Sequence, residues 1–428
     1  MRAPLRLAPA LLISGALQGQ APDLTDSQLA TLIRDALATN PQLKASQASI
    51  EVERAKVSQA GALPDPMASL GYQNDGFRKF TYGESGFAFA QVGLSQAFPY
   101  PGKRKLREQI AQAGVAAADA ALDRVRLDLI ADVKRSYYDL LRVQGQRTLL
   151  DAQAKLWDQV AEATQARVEA GTGTTADLLR AQLEKTRLKQ READLEGRAV
   201  ALEAELNRLA GHGPGSSLET AAALDALPLP QPPDAAQAVT DAIANSPELS
   251  EARHHLVHYR QQVDLAKLDL RPDFTVGAAL MPQGSLPGMW SVSVGFNVPL
   301  WSGRKQKQAV AGARAQAQAE DYRITDLEQR LASLTRARAA RFAADLQVAR
   351  LYQKGLLAQS DAAYQAALTQ FSTGTEPFRQ VLEALSNRIK DRSDYLDALA
   401  QAHFDAIELE RASPGATTDT NAMDGGAP

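Results

Sequence analysis

The sequence contains no cysteine among its 428 residues. This absence excludes disulfides, thiolate metal sites, thiol catalysis and a lipid-modified N-terminal cysteine. The net charge is only −3, from 47 basic and 50 acidic side chains, which disfavours a nucleic-acid binder because such proteins normally carry a basic excess. Aromatic residues make up only 6%. Alanine, leucine, glutamine, glutamate and arginine are abundant instead, a composition typical of long helices.

The N-terminus has the pattern of an export signal. Arg2 and Arg6 supply positive charge, the stretch Leu5–Leu17 is largely apolar, and small residues follow it. We therefore interpret residues 1–21 as a signal peptide, cleaved after Ala16 or Ala21; a disordered N-terminus is the alternative. The apolar part is shorter than the roughly 20 residues that cross a bilayer as a helix, and no other segment approaches that length.

The sequence contains an internal repeat. The block Asp35–Leu43 recurs 206 positions later as Asp241–Leu249, with Asn40-Pro41 matched by Ser246-Pro247. Further blocks recur in the same order. Pro66 to Gly71 matches Pro272 to Gly277 at an offset of 206, and Val92 to Leu94 matches Val294 to Phe296 at 202. Gly102 to Arg104 matches Gly303 to Lys305, and Thr172 to Thr174 matches Thr373 to Thr375, both at 201. A tandem duplication of about 200 residues follows from these ordered matches.

Proline placement divides each copy into helices and loops. No proline occurs between Pro101 and Pro214 or between Pro299 and Pro377, so very long helices can run there. The leucine-rich stripes around Tyr137 and Leu331 keep the 3–4 spacing of helices that pack side by side. The first repeat is predicted at 22–226, with a short helix, a hairpin at about 66–97, a long helix at about 103–170 and a return helix at about 176–210. A Pro-rich linker at 227–234 leads to the second repeat at 235–411, with a short helix, a hairpin at about 273–299, a long helix at about 304–371 and a return helix at about 378–411. Residues 412–428 are predicted to be a disordered tail.

Between the short and the long helix of each copy, apolar residues alternate with small or polar ones. The clearest run is Trp290 to Val298, and this period of two predicts strands. Strands of about ten residues have the length that crosses a bilayer in a barrel, whereas soluble hairpins capping the helices are the alternative. Four strands are too few to close a barrel, and an open edge is not tolerated in hydrocarbon. Lipid insertion would therefore require several chains to share one barrel.

These features together resemble the TolC family of outer-membrane efflux proteins, over about Ser27 to Arg411. The resemblance rests on the duplicated Asn/Ser-Pro blocks, the glycine-basic starts of the long helices and the Gly/Thr turns. It implies a mostly α fold with β: a homotrimer whose 12-stranded transmembrane β-barrel, four strands per chain, continues into a long periplasmic α-helical barrel. It also implies an outer-membrane protein of a Gram-negative bacterium that needs no cofactor.

Two segments are similar to family members that serve heavy-metal exporters of the cobalt–zinc–cadmium or copper–silver type. They are Leu63–Met67 and Ser95–Arg104. The resemblance then implies a passive exit duct of a tripartite efflux pump, partnered by a periplasmic adaptor (membrane fusion protein) and an inner-membrane RND-type transporter. The alternatives are a channel for drugs or type I protein secretion and, in another class, a soluble periplasmic coiled-coil scaffold.

By the same resemblance, the helix–turn–helix tips lie at the periplasmic end, where the adaptor docks and the gate closes. The residues expected there are Gly171, Thr172, Gly173, Thr174, Asp177, Arg180, Gly374, Thr375, Glu376 and Arg379. In a trimer Asp177 and Glu376 would each form a ring of like charges that attracts cations, although acids at helix starts are also favoured by the helix dipole alone. Arg180 and Arg379 are possible partners that latch the tips.

Chemistry-bearing clusters are otherwise scarce. His254 and His258 are four apart on one predicted helix and are weak metal candidates, because no nearby Asp or Cys completes a site. The glycine-rich stretch Gly211–Gly215 lacks the features of a phosphate-binding loop, and no nucleophile or metalloprotease motif occurs. The sequence predicts a protein that is not an enzyme.

Overall fold

The computed structural model describes residues 27–171, 173–218, 223–372 and 378–414. The elements of the first half are α1 (Ser27–Thr39), α2 (Pro41–Gly61), β1 (Met67–Gln73), β2 (Phe89–Phe98), α3 (Lys103–Glu169) and α4 (Thr175–Ala210). After a 3₁₀ turn at Leu224–Ala226, the second half repeats this order with α5 (Ala235–Asn245), α6 (Pro247–Leu268), β3 (Phe274–Gln283), β4 (Leu286–Phe296), α7 (Gln306–Leu351), α8 (Leu357–Ser372) and α9 (Phe378–Ala412).

Each repeat begins with two helices, where the sequence predicted one. The break falls at Asn40-Pro41 in the first copy and at Ser246-Pro247 in the second, with proline as the first residue of the new helix. Proline suits that position because its missing N–H would have no helical partner there. The Asn40 side chain accepts hydrogen bonds from the backbone N–H groups of Gln42 and Leu43 at 2.9 and 3.4 Å.

The long helices bury a narrow stripe. The 67 residues of α3 extend over about 100 Å at 1.5 Å per residue. Tyr137 and Leu140, both in the predicted stripe, are almost completely buried. In α7 the stripe is only partly as expected, because Leu331 is buried whereas Leu334 is 45% exposed. The expected long helix at 304–371 is also interrupted, by a π-helical turn at Tyr352–Leu356 between α7 and α8.

The helices pack mainly along α3. This helix contacts α2, α4, α6, α9 and α1, whereas α7 packs on α5, α6 and α9. The largest apolar cluster combines residues of α1, α3, α4, α8 and α9, and Ile33, Tyr137, Leu206 and Leu385 are among its members. Contacts between α3 and both α6 and α9 join the first repeat to the second.

Within the described ranges, the strands form one antiparallel sheet in the order β1-β2-β3-β4. The link between the two repeats is the β2–β3 pair, in which Leu94 lies opposite Ala278. Strand β1 pairs only with β2, and β4 pairs only with β3, so β1 and β4 are the edges of the sheet. The predicted fold class, mostly helical with a small antiparallel sheet built from a tandem repeat, is confirmed.

The predicted terminal segments lie largely outside the described residues. The predicted signal peptide, 1–21, and residues 415–428 of the predicted tail are among those left out. The tail was predicted to begin at residue 412, but Ala412 ends α9 and Ser413 is buried. The Ser413 hydroxyl donates a hydrogen bond to the Ala238 carbonyl at 2.7 Å, which fixes the end of α9 on α5.

In the part of the chain that the structure describes, none of the helices combines the length and the apolar content that crossing a membrane requires.

The two helix starts allow a matched prediction. Asn40 caps α2 and also donates from Nδ2 to the Leu209 carbonyl at 3.0 Å, at the end of α4, whereas Ser246 caps α6 through a single bond to the Leu249 N–H at 3.3 Å. Asn40→Ala should lower the free energy of unfolding by about 2–3 kcal/mol and Ser246→Ala by about 1 kcal/mol. Denaturant unfolding of the detergent-solubilised protein, followed by circular dichroism, measures both.

Asn40→Ser is the control, because it keeps the cap and removes the bond to α4; it should fall between wild type and Asn40→Ala. Equal losses in Asn40→Ala and Ser246→Ala would show that the bond to Leu209 contributes nothing.

Candidate functional site

The sheet carries most of its large apolar side chains on one face. Neighbouring residues of a strand point to opposite faces, and directly paired residues share a face. The registers therefore place on one face Leu70, Tyr72, Val92, Leu94, Phe98, Phe274, Val276, Leu280, Trp290, Val292, Val294 and Phe296. Leu70 is 83% exposed and Trp290 is 74% exposed in the single chain. An apolar surface of this extent is built to meet an apolar medium or a partner.

The opposite face is mostly small and polar, although Met67, Phe89, Met281 and Met289 also lie on it. Its members include Ser69, Gly71, Gln91, Gly93, Ser95, Thr275, Gly277, Ser291, Ser293 and Gly295. Glycine is required where serine side chains crowd the neighbouring strand, since a Cβ on Gly93 would lie 2.7 Å from the Ser69 hydroxyl. The two faces thus differ in both polarity and size, as the alternation in the sequence predicted.

One end of the sheet is tied together by a loop and a turn. The long loop between β1 and β2 lies against the tight turn between β3 and β4, where the Ser285 hydroxyl donates to the Gly83 carbonyl at 2.6 Å. The amide of Gln283 donates to the Gly86 carbonyl at 2.5 Å. Gly284 has φ +70°, and a Cβ there would meet the Cα of Gly83 at 2.9 Å. The contact therefore depends on glycine on both sides.

The other end of the sheet is tied to the helices by a buried cation. Lys103, the first residue of α3, is 3% exposed, and its ammonium lies 2.9 Å from Asp273 and 3.1 Å from Asp269. The Asp273 carboxylate also accepts the Tyr100 N–H at 2.7 Å. Because Lys103 belongs to the first repeat and both acids to the second, this cluster locks the repeats together at the junction of sheet and helices.

The tip of the first repeat is a tight turn with a capped helix. Gly171 adopts φ +73°, a conformation that side-chain-bearing residues rarely take. Thr174 caps α4, since its hydroxyl accepts the Asp177 N–H at 3.2 Å and donates to the Asp177 carboxylate at 2.6 Å. The nearest guanidinium nitrogen of Arg180 lies 3.8 Å from that carboxylate, on the same helix. Gly173 is half-buried between the two helices.

The second tip falls largely outside the described residues. Thr172 of the first tip and Gly374, Thr375 and Glu376 of the second are among those left out, whereas Arg379 is described and exposed on the first turn of α9. The expected roles of the tip residues in docking and gating remain predictions.

Ion pairs bridge each helical hairpin above its tip. In the first repeat Lys185 of α4 lies 2.6 Å from Asp158 of α3. In the second, Arg388 and Arg392 of α9 bind Asp361 of α8 at 2.5 and 3.0 Å. Partial burial raises the pKa of Asp361, but the hydrogen bonds from Arg388 and Arg392 outweigh it and hold the pKa below its usual value. The carboxylate thus stays ionised and clamps α8 to α9.

These bridging residues were missed in the sequence. The sequence does contain a signal for them, namely an equal separation along the chain from the turn between the helices. Asp158 and Lys185 are almost equally far in sequence from Gly171. The same holds for Asp361 and Arg388 on either side of Gly374. On antiparallel helices joined by a short turn, such residues lie opposite each other, so opposite charges at matched distances predict a cross-hairpin pair.

The histidine pair of α6 is engaged in ordinary packing contacts. The Nδ1–H of His258 donates to the Ile110 carbonyl at 3.1 Å, which leaves Nε2 to accept from the Gln262 amide at 2.8 Å. His254 is half-buried on the same helix. Across the described residues, no three His, Asp or Glu side chains converge to hold a metal ion.

Two unusual titratable groups lie in α9. Burial lowers the pKa of His403 to about 4, and its ring stacks on Tyr138 at 4.2 Å. Burial and the neighbouring Asp345 carboxylate raise the pKa of Asp405 to about 6. His403 is therefore neutral and the carboxylate pair shares a proton at mildly acidic pH.

The outer membrane efflux protein model matches the chain twice, at residues 32–212 and 238–414. The chain belongs to this family. The predicted TolC-family resemblance is thereby confirmed, and so are the outer-membrane location and the assignment as a transport conduit and not an enzyme. Each match covers one of the two repeats that the sequence and the fold display.

Known relatives and solved structures agree with this membership. The chain is 24% identical over 377 residues to the cobalt-zinc-cadmium resistance protein CzcC of Cupriavidus metallidurans, covering 88% of this chain and 87% of that protein. It is 28% identical over 341 residues to the protein CyaE of Bordetella pertussis, covering 76% and 70%. The structures of CusC (18% identity, TM-score 0.78, 90% and 92% covered) and of the outer-membrane protein VceC of Vibrio cholerae (18%, 0.77, 91% and 97%) share its fold.

His403 and Asp405 should change the stability of the folded chain in opposite directions as the pH falls. The folded-state pKa of His403 is depressed, so the unfolded chain binds the extra proton and about 2 kcal/mol of stability is lost between pH 7.5 and pH 5. The pKa of Asp405 is raised, so the folded chain binds the extra proton and stability is gained over the same interval. Melting temperatures at the two pH values should therefore drop less on acidification in His403→Phe than in wild type, and drop more in Asp405→Asn.

Leu399→Ala provides the control, because it disturbs the buried side of the same helix without changing a titratable group and should lower the melting temperature by a similar amount at both pH values. Parallel pH profiles for wild type and His403→Phe would contradict a buried neutral imidazole.

Proposed function

We propose that three copies of the chain form the outer-membrane exit duct of a tripartite efflux pump. The observation that carries this proposal is the four-stranded sheet with one exposed apolar face and two unpaired edges, β1 and β4. In hydrocarbon every backbone polar group must be paired, so only a closed barrel satisfies these edges. Four strands cannot close, whereas three chains supply twelve, a number within the range of known barrels.

In this assembly the helices continue the barrel as a periplasmic tunnel. The apolar face of the sheet contacts lipid, and the small polar face lines the lumen. The tips at Gly171 and in the second repeat meet the periplasmic adaptor, and an inner-membrane RND-type transporter supplies the energy. Conduction through the duct is passive, and untwisting of the tip helices opens its entrance.

Heavy-metal cations are the substrates we propose. Support comes from the similarity to a cobalt-zinc-cadmium resistance protein along 88% of the chain. Deletion of the gene from its host should then lower the tolerated concentration of divalent metals and leave tolerance to dyes and detergents unchanged. The reverse pattern would identify a drug duct, and unchanged tolerance to all of these with loss of a secreted protein would identify a secretion channel.

The assembly is tested by fractionating cells that express the full-length chain and by measuring mass in detergent. A detergent-dependent outer-membrane species with about three times the mass of the 46.0 kDa chain is expected. A salt-extractable monomer or dimer would overturn the duct and favour a soluble coiled-coil scaffold.

A charge ring at the tip should make the duct cation-selective. Asp177→Asn removes three charges from the trimer at the entrance and keeps a side chain that can bond Thr174, so the cation-to-anion permeability ratio should fall roughly twofold or more. The reversal potential across a planar bilayer under a salt gradient measures it.

Asp194→Asn is the matched control, since Asp194 is an exposed acid on the same helix, far from the tip, paired with Arg198 at 3.0 Å. An equal effect of both substitutions would rule out a specific role for Asp177.

A further inference from the structure

The loop between β1 and β2 exposes aromatic side chains that the fold of the chain does not bury. Phe77 is completely exposed, and Phe80 is 67% exposed. The loop lies at the end of the sheet remote from the helices, beside the turn between β3 and β4. Large apolar side chains grouped on a surface indicate contact with an apolar medium or a partner.

The conformation of this loop is fixed by a side chain at its start. The Asn74 amide donates from Nδ2 to the carbonyl of Gly76 at 2.7 Å and to that of Lys79 at 2.8 Å. Its Oδ1 accepts the Thr81 N–H at 2.9 Å. These hydrogen bonds close the loop on itself, so Phe77 and Phe80 are held at the surface without packing into a core.

A cluster of three rings lies where the apolar face of the sheet ends. Phe80 stacks on Tyr72 with a centroid distance of 4.9 Å, and Tyr82 lies 6.3 Å from Tyr72 and 6.2 Å from Phe80. Tyr72 is the last residue of β1 on the apolar face, which contacts lipid in the proposed duct. Because aromatic rings favour the boundary between hydrocarbon and water, the cluster marks the outer border of the lipid-facing band.

One cation of the loop is left without an acidic partner. The loop has four charged side chains, of which Lys79 forms an ion pair with Glu84, and the Asp75 carboxylate accepts the Ser85 hydroxyl at 2.6 Å. The fourth, Arg78, is exposed, and no ion pair joins it to any residue that the structure describes. A guanidinium presents paired N–H donors that match the oxygens of a phosphate group.

We propose that this loop binds the phosphorylated glycolipid of the outer leaflet, lipopolysaccharide, with Arg78 on a lipid phosphate and with Phe77 and Phe80 at the boundary of the acyl chains. The helices extend into the periplasm, so the opposite end of the sheet meets the outer leaflet. A phosphate pairs the free guanidinium and acyl chains cover the exposed rings, so one ligand satisfies both groups. This inference rests on the proposed duct and adds to it a lipid that the loop recognises.

Titration of the detergent-solubilised full chain with purified lipid A, the phosphorylated anchor of lipopolysaccharide, tests the site. Native mass spectrometry gives both the number of lipids bound and the mass of the assembly. Arg78→Gln should raise the half-saturating concentration of lipid A about fivefold, as expected for one basic residue at an anionic lipid surface. Dephosphorylated lipid A should bind wild type and Arg78→Gln alike. Phe77→Ala with Phe80→Ala should weaken the binding of both forms.

Arg304→Gln is the matched control, because Arg304 is an exposed arginine at the opposite end of the sheet that has no ion pair among the described residues. It should leave lipid A binding unchanged. Equal losses in Arg304→Gln and Arg78→Gln, or no loss in either, would overturn the site. If Arg78→Gln weakens phosphatidylglycerol as much as lipid A, the assignment to the glycolipid is wrong.

The mass of the assembly separates this inference from the proposed function. A trimer whose lipid A binding is insensitive to all loop substitutions overturns the lipid site alone, whereas a monomer that binds no lipid overturns the duct itself. Loss of the trimer in the variant with Phe77→Ala and Phe80→Ala would show that the rings contact a neighbouring chain, and this result also overturns the lipid site.

Discussion

The structure depends on one constraint, which is that the backbone N–H and C=O groups of each β-strand must be hydrogen-bonded. A β-strand with an open edge presents a row of unpaired N–H and C=O groups, and the sheet in one chain has such a row on each side, along β1 and β4. The helices share a milder form of the same incompleteness, since α2 and α7 each lack a neighbour that their counterparts have. In the proposed assembly, further copies of the chain would pair both strand edges and cover both helix faces.

The duplication places one such join between the two repeats of a single chain. Within one chain, the join between repeats is already made by the β2–β3 ladder, by α3 against α6 and by the buried Lys103 between Asp269 and Asp273. Each of these contacts is heterologous, with a surface of the first repeat meeting a different surface of the second. Repeating a heterologous contact generates a ring or a helix, so contacts of this kind are compatible with the proposed ring of three chains.

Much of this fold could be predicted from the sequence because its signals are local and duplicated. Proline-free stretches predicted α3 and α4 and alternation predicted the strands, whereas the region of α1 and α2 was predicted as one helix and its break at Asn40-Pro41 was missed. The cross-hairpin bridge of Asp361 with Arg388 was missed because it depends on which residues face each other across a turn. The neutral state of His403 was also out of reach, since its burial arises from packing against Tyr138 and not from any neighbour in sequence.

The π turn at Tyr352–Leu356 has a mechanical consequence. An extra residue in one turn advances the following side chains by about 100° around the helix axis, and Tyr352 and Leu357, five positions apart, both pack on the core. The first-repeat helix α3 has no such phase shift along its 67 residues. The two helical hairpins therefore differ, one with a continuous long helix and one with a phase shift at Tyr352–Leu356, so in the proposed trimer the ring of six hairpins would have threefold and not sixfold symmetry.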